Sequence, residues 1–460
     1  MATFELEEIL RATGGRLLQK GTAEKVSGIS TDTRTIRKGE LYLPLSGENF
    51  NGHAFIGNAV RAGASVILLS DESYAKEIPD TVSVISVPHT LHALEDFARF
   101  HRMRFSIPVM AVTGSSGKTT TKDMLTAILE TTYTVCRTEK NFNNEIGLSK
   151  TLLSLTEAHE AAVVEMGMRG LGQIAELAKT ARPNIGVVTC VGTAHIGILG
   201  SRDNIAKAKG ELIEALPDDG TAILNADDEY VSKMGGLFRG KSVFYGIENK
   251  KDVYASDISF EPEGTVYTCH AGDAVFPVRL RMLGIHNVYD ALAATAAGLR
   301  AGVSPENIKK ALETFVSQSA SQRVYALGGV TVLDDSYNAN PLSVEMAFRA
   351  ALQIPGTRRI LVLGDMLELG DSEVKCHEET GRKAAELGFD ALITVGALSH
   401  YTAEGARAGG MKTVEETMSP TEAADILKKE TKDGDVVLIK GSHAMHLETV
   451  AELWRGDLKS

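Results

Sequence analysis

The apolar run Val109-Met110-Ala111-Val112 passes through Thr113 into Gly114-Ser115-Ser116-Gly117, and then into Lys118-Thr119-Thr120, where helical periodicity begins. No other stretch constrains the fold as strongly. A buried strand that turns sharply through glycines into a helix needs a sheet to lie in and a second layer to cover it. The glycines let successive N–H groups point inward, and the helix start adds partial positive charge. Lys118 supplies a full charge, and the Thr119 hydroxyl can ligate Mg²⁺. The spacing Gly-x-x-Gly-Lys-Thr is two residues shorter than the common phosphate loop. The alternative is a Gly/Ser turn capping an ordinary helix; the order strand, loop, helix favours nucleoside triphosphate binding.

From this point the chain alternates. Strand-like runs at 161–164, 185–189 and 221–224 separate helical stretches at 118–129, 171–179 and 205–216. This pattern reads as a mainly parallel sheet with helices on both faces. Residues 241–283 change to four short strands, expected as an antiparallel extension, followed by helices at 288–299 and 305–315. A second βα alternation restarts near 330, with strands at 330–333, 359–363, 391–395 and 436–439. Before Pro108, strand runs at 39–44, 65–69 and 82–87 mix with helical patterns at 6–12, 53–62 and 91–105. The chain has 460 residues, and at ~150 residues per domain that is about three domains. The expected division is 1–107, 108–316 and 317–460, an α/β protein with a small N-terminal domain, a phosphate-loop central domain and a Rossmann-like C-terminal domain. Hinges are expected near 105–108 and 316–322.

Lys plus Arg number 48 and Asp plus Glu 60, a net charge of −12. That excess argues against nucleic acid or an anionic membrane as partner. An anionic ligand would need a local cluster of cations. The N-terminus is acidic and carries no signal-peptide core, and the most apolar stretch, 184–200, is interrupted by Asn184, Thr189, Thr193 and His195. Cys136, Cys190, Cys269 and Cys376 are scattered, so reduced thiols in a cytoplasmic protein are expected. The chain is expected to be a monomer without membrane insertion.

A phosphoryl-transfer site needs metal ligands beyond the loop. Glu165 closes the apolar run 161–164, at the strand end where ligands sit in open α/β sheets; its alternative is a loop-capping surface carboxylate. His195 follows the next strand, and a lone histidine is more often structural than ligating. Lys207 and Lys209 lie on the following helix, where two lysines ordinarily form a solvated face.

Taken together, the motifs resemble the Mur ligases, ATP-dependent amide-forming enzymes of peptidoglycan synthesis. Ser30-Thr31-Asp32-Thr33-Arg34 and residues 39–55 look like the family's UDP-sugar-binding region. The phosphate loop has its short spacing, and residues 138–147, with Asn143 and Asn144, match a substrate-side asparagine motif. Residues 283–287, Gln322-Arg323 and 334–341 match nucleotide-closing motifs. Ala194-His195, Ala208-Lys209-Gly210-Glu211 and Gly364-Asp365-Met366-Leu367-Glu368-Leu369-Gly370 look most like the branch that joins D-alanyl-D-alanine to UDP-N-acetylmuramoyl-tripeptide. The Asp-Asn-Pro-Arg sequence of the diaminopimelate-adding branch is missing. Ser149 stands where proline is usual, and His443 where arginine is usual; His443 is left out of the site.

The resemblance implies ATP, two Mg²⁺ ions and a carbamate on Lys209, preferred over Lys207 because it lies fourteen residues after His195. It implies Thr119 and Glu165 as ligands of one ion, and His195 and carbamoylated Lys209 as ligands of the other. Gly114, Ser115, Ser116, Gly117, Lys118, Thr119 and Thr120 would hold the phosphates, Asn287 the adenine, Asp335 the ribose, and Arg323 the phosphates from the hinge side. Ser30, Asp32, Arg34, Asn143 and Asn144 would bind the UDP-muramoyl peptide. Two rivals stand beside this reading: another Mur branch adding a single amino acid, and a nucleotide-binding switch without ligase activity.

Overall fold

The computed structural model describes residues 3–47, 50–261, 264–317 and 323–456. Glu48 and Asn49 of the 39–55 motif, Gln322, and most of the expected hinge at 316–322 lie outside the described residues. Two compact units divide the chain: residues 1–111, 133–167 and 175–184 form one, and residues 112–132, 168–174 and 185–460 the other.

In the first unit, five strands are ordered Arg16–Gln19, Ser83–Ser86, Val66–Leu69, Leu41–Tyr42, Ile29–Ser30. All pairs are parallel except the first. Side chains alternate along a strand. Val66 and Leu68 therefore join Phe4, Ile9, Leu94 and Phe97 on one face, while Ile67 and Leu69 join Tyr42, Ile56 and Ala59 on the other. Both faces are covered, which is why these strands read as continuous apolar runs. Helix Thr90–Arg102 packs on helix Glu145–Leu153, whose Ile146 and Leu153 extend the first of these cores. Strands Val135–Arg137 and Ala161–Glu165 pair in parallel, and Ala162 N donates to Pro108 O beside the start of Val109–Thr113.

In the second unit, Val109–Thr113 ends beside Ile185–Val188, with Thr189 N donating to Thr113 O at 3.0 Å. Strands Thr221–Asn225 and Lys241–Gly246 follow in parallel register. The expected wholly antiparallel extension is corrected here. The connection 226–240 is long enough to bring the chain back to the same edge, so Lys241–Gly246 joins in parallel. Val253–Glu261 also starts parallel to it, and only Val253–Glu261, Gly264–Ala271 and Ala274–Leu280 pair antiparallel among themselves.

The C-terminal sheet runs Arg323–Leu327, Val330–Asp334, Val436–Lys440, Arg359–Gly364, Ala391–Val395, Thr413–Thr417. Its first pair is an antiparallel hairpin turning on Gly328 and Gly329, both at positive φ; the other pairs are parallel. Leu361, Leu363 and Leu438 face one core, and Ile360, Val362, Val437 and Ile439 the other. Each fully buried aliphatic side chain contributes about 1.5–3 kcal/mol.

Candidate active site

All five residues of Val109–Thr113 are buried, so the strand delivers Gly114 at a fixed place. A Cβ on Gly114 would fall 1.8 Å from Thr189 Oγ1, and only glycine fits there. Thr189 Oγ1 donates to Ser116 O at 2.5 Å, and Ser115 N donates to Cys190 O at 2.9 Å. Gly117, at φ 79°, caps helix Lys118–Glu130. A Cβ there would lie 2.2 Å from Asp290 Oδ1. The loop is thus tied down from outside by residues 189–190 and from below by Asp290. Lys118 Nζ folds back onto Gly114 O at 2.9 Å. Ser115 Oγ is buried and has no hydrogen-bond partner among the described residues. A buried hydroxyl left unpaired costs free energy, and a phosphate oxygen in this loop would satisfy it. Thr119 and Thr120 stand in the first turn, half-buried.

Lys209 is buried on helix Arg202–Glu214, whereas Lys207 is exposed. No carboxylate lies within ion-pair distance of Lys209 among the described residues. Burial first, and the charge of Lys118 second, pull its ammonium down to about 7. Half of it is then a neutral amine near neutral pH, the form that can take up CO₂. His195 stands in the left-handed region at φ 63° and opens the short helix Ile196–Leu199. Burial also lowers its pKa, opposed by Glu368 and reinforced by Lys118 and Lys209. The structure therefore brings Lys118, Lys209 and His195 together, with the charge of Lys118 holding the other two toward their neutral forms.

Sequence reasoning gave Glu368 no role. Its Oε2 lies 2.6 Å from His195 Nδ1 and its Oε1 3.3 Å from Arg169. Beneath that contact the backbones at Gly197 and Gly370 touch: a Cβ on Gly197 would lie 2.5 Å from Gly370 N. Ile196 packs on the C-terminal core. At Gly192, a Cβ would lie 3.0 Å from Leu342 Cδ2 and 3.4 Å from Ser115 Cβ. The helix Pro341–Gln353 thus begins one residue's thickness from the phosphate loop. Its N-cap Asn340 closes the 334–341 motif.

Other predicted residues have partners of their own. Asn287 is buried at the start of helix Ile285–Arg300 and donates to Leu283 O at 2.8 Å. Asp335 receives Lys440 Nζ at 2.6 Å, both nearly inaccessible. Arg323 is exposed at the start of its strand, opposite Asp334.

In the first unit, Glu165 is the last residue of its strand, buried, and Asn143 Nδ2 donates to its Oε1 at 2.7 Å. Asn143 thus orients this carboxylate. Asn144 caps helix Glu145–Leu153 by accepting from Gly147 N at 3.0 Å. Ser30 Oγ donates to Asp32 O at 2.9 Å, and Asp32 holds the exposed Arg34 through both carboxylate oxygens. Hydrogen bonds from Arg34 hold the Asp32 carboxyl at about 2.

Among the described residues, no three His, Cys, Asp or Glu side chains gather into a metal site. A divalent ion at His195 would draw its remaining donors from hydroxyls, phosphate oxygens or a carbamate. Phe50 and Phe55 of the 39–55 region are exposed and stacked at 5.6 Å, and the Asp227 carboxylate, which gathers the amides of Ile247, Glu248 and Asn249, was missed by sequence reasoning.

Comparison with known proteins matches residues 25–102 to the model for the Mur ligase family catalytic domain, 112–298 to the Mur ligase middle domain, and 321–443 to the Mur ligase glutamate ligase domain. The UDP-N-acetylmuramoyl-tripeptide–D-alanyl-D-alanine ligase of Bacillus subtilis is 38% identical over 432 residues, 93% of each chain. A crystal structure of MurF from Acinetobacter baumannii superposes with a TM-score of 0.92 at 31% identity, covering 99% of both chains. MurF ligase from Thermotoga maritima, solved in complex with ADP, gives a TM-score of 0.84 at 28% identity, covering 93% of this chain and 97% of that one.

Proposed function

Because the chain belongs to the Mur ligase family, we propose that it joins D-alanyl-D-alanine to UDP-N-acetylmuramoyl-tripeptide at the expense of ATP, in peptidoglycan precursor synthesis. The observation that carries this reading is the likeness, over nearly the whole chain, to ligases of that name. The geometry supplies the chemistry.

A carboxylate is a poor electrophile, because its charge is spread over two oxygens. Transfer of the γ-phosphoryl group of ATP to the tripeptide carboxylate makes an acyl phosphate and releases ADP. The free amine of D-alanyl-D-alanine attacks the acyl carbon, and the tetrahedral adduct expels phosphate. Two anions must approach in the first step, so their repulsion dominates the barrier. Lys118 at the helix start answers it with charge already in place. Ser115, Ser116 and the glycines of the loop cradle the phosphates. Asn287, Arg323 and Asp335 are assigned to adenine, phosphate and ribose, and Ser30, Asp32, Arg34, Asn143 and Asn144 to the UDP-muramoyl peptide. We divide the chain at 107/108 and 316/317.

Thr119, Glu165, His195 and Lys209 carry the donors for Mg²⁺, with Lys209 as its carbamate. Bound Mg²⁺ would neutralise the phosphate oxygens and polarise the phosphorus. Lys209 fits the carbamate because it is buried, unpaired and half neutral near pH 7. Carbamoylation turns a cation that repels Lys118 into an anion that attracts it. We assign the reaction to the cytoplasm and the chain to a monomer. The second unit alone contributes Lys118, Lys209 and His195, which favours a ligase over a nucleotide switch; a switch needs no buried lysine beside its phosphate loop.

The test is ADP release by the full-length chain given UDP-N-acetylmuramoyl-tripeptide, ATP and Mg²⁺. Release must depend on D-alanyl-D-alanine. Equal release with single amino acids would move the chain to another branch, and nucleotide binding without release would favour the switch.

A further inference from the structure

We propose that Glu368 is a positioning residue that fixes the ring of His195 in the Nδ1–H tautomer, leaving Nε2 as the bare nitrogen that faces a divalent cation. The proposal rests on the ligase reading above, in which His195 is a ligand.

Neutral imidazole carries one proton, and the hydrogen bond made by one nitrogen decides which nitrogen is free. Glu368 Oε2 stands 2.6 Å from Nδ1, within hydrogen-bond reach. An ionised carboxylate only accepts, so the proton must lie on Nδ1. Arg169 lies 3.3 Å from the other carboxylate oxygen, so each oxygen of Glu368 has a partner of its own. The contact is not incidental to a mobile surface chain. Glu368 sits at φ 65°, a conformation that costs a non-glycine residue strain and persists only where its surroundings impose it. The surroundings here are the touching backbones of Gly197 and Gly370 and the seating of Ile196 in the C-terminal core. Histidines that bind metals commonly donate their second ring N–H to a carboxylate, which raises ligand basicity and locks orientation. Here that carboxylate comes from the C-terminal sheet region, 173 residues away in sequence. The ligand is therefore oriented only while the 364–370 loop is docked.

Full-length protein labelled with ¹⁵N-histidine gives the tautomer directly at pH 8, with His195 assigned by comparison with His195→Asn. Wild type is expected to show Nδ1–H with a bare Nε2. Glu368→Gln keeps a carbonyl acceptor and should keep that tautomer, whereas Glu368→Ala should relax toward Nε2–H. Mn²⁺ titration of the ADP-bound protein, followed by electron paramagnetic resonance, is expected to show roughly 10–100-fold weaker binding in Glu368→Ala and a smaller loss in Glu368→Gln. A wild-type ring protonated on Nε2, an unchanged tautomer in Glu368→Ala, or equal Mn²⁺ affinity in that variant would each overturn the assignment. Failure of the ligase reading is read separately, as wild-type protein that releases no ADP in response to D-alanyl-D-alanine.

Discussion

Thr121 Oγ1 donates to Asp290 Oδ1 at 3.0 Å, and that same oxygen lies directly beneath the bare Cα of Gly117. The floor of the phosphate loop is therefore a buried carboxyl group. Burial pushes it up from 3.8 to about 8, so it is protonated at neutral pH and adds no negative charge under the phosphates.

That shift has a sign. A carboxyl whose folded pKa is raised contributes stability that is fully present below the unfolded value and is lost as pH rises through the folded one. For Asp290 the loss runs from about pH 4 to about pH 8. Asp290→Asn keeps the acceptor for Thr121 but cannot ionise. Its unfolding free energy relative to wild type should rise with pH by up to roughly 1.4 kcal/mol per unit across that window. Urea melts of both proteins at pH 5 and pH 8.5 check this; a constant difference between them would remove the buried acid from the argument.

Lys118→Ala should leave the fold intact, because among the described residues the side chain bonds only to Gly114 O within its own loop. Loss of one preorganised charge at a transferring phosphoryl group typically costs about 10²–10³ in rate. Steady-state ADP release should fall at least that far while the melting temperature holds. Near-normal turnover would take Lys118 out of the chemistry.

Lys209 behaves in the opposite pH sense to Asp290. Its pKa is depressed to about 7, so the neutral amine that captures CO₂ is lost as pH falls below that value. ADP release in bicarbonate buffer should therefore drop from pH 8 to pH 6. Lys209→Ala should be nearly inactive and partly rescued by short carboxylates that restore an anionic oxygen. An active, bicarbonate-insensitive Lys209→Ala protein would exclude the carbamate.

Asn143 donates to the buried Glu165 at 2.7 Å. Asn143→Ala removes this bond, while Asn143→Asp sets a second carboxylate against the first. ADP release should fall in both, by roughly tenfold more in the aspartate variant, since like charges cost about 1.4 kcal/mol or more when half-buried. Identical rates would show that Asn143 acts on substrate alone.

The Lys440–Asp335 pair is closed to solvent at 2.6 Å. Lys440→Met strands a buried carboxylate and should destabilise the C-terminal sheet by about 3–5 kcal/mol. Asp335→Asn in the same chain should recover most of that. A double variant no more stable than the single one would mean the loss comes from packing around residue 440.

What the sequence conveyed depended on the range of the interaction. The strand–loop–helix at 109–130 is a local pattern, and the glycines that betray it are the ones the structure needs bare, Gly114 and Gly117. The central strands were readable because burial on both faces leaves unbroken apolar runs. Helix Glu145–Leu153 was passed over, since Gly147 and Ser149 weaken its pattern and its folding is directed by the Asn144 cap and by packing on Thr90–Arg102. The edge strand Thr413–Thr417 is mostly exposed and polar, so no periodicity marks it. Lys207 and Lys209 were separable only by a spacing carried over from the family; burial separates them physically. Glu368 lies within a motif already noticed, but its partners are 173 and 199 residues upstream, and nothing local tells a chain reader that it meets His195 and Arg169.

The bare-backbone contact between Gly197 and Gly370 sets how much tolerance the assembly has. Two main chains meeting with only hydrogens between them have no side chain to rearrange, so the fit is either complete or absent. A single methyl at either glycine would act as a wedge, lifting Glu368 from His195 without touching a residue that meets substrate. The enzyme's chemistry could then be silenced from a position that an inventory of reactive groups would pass over.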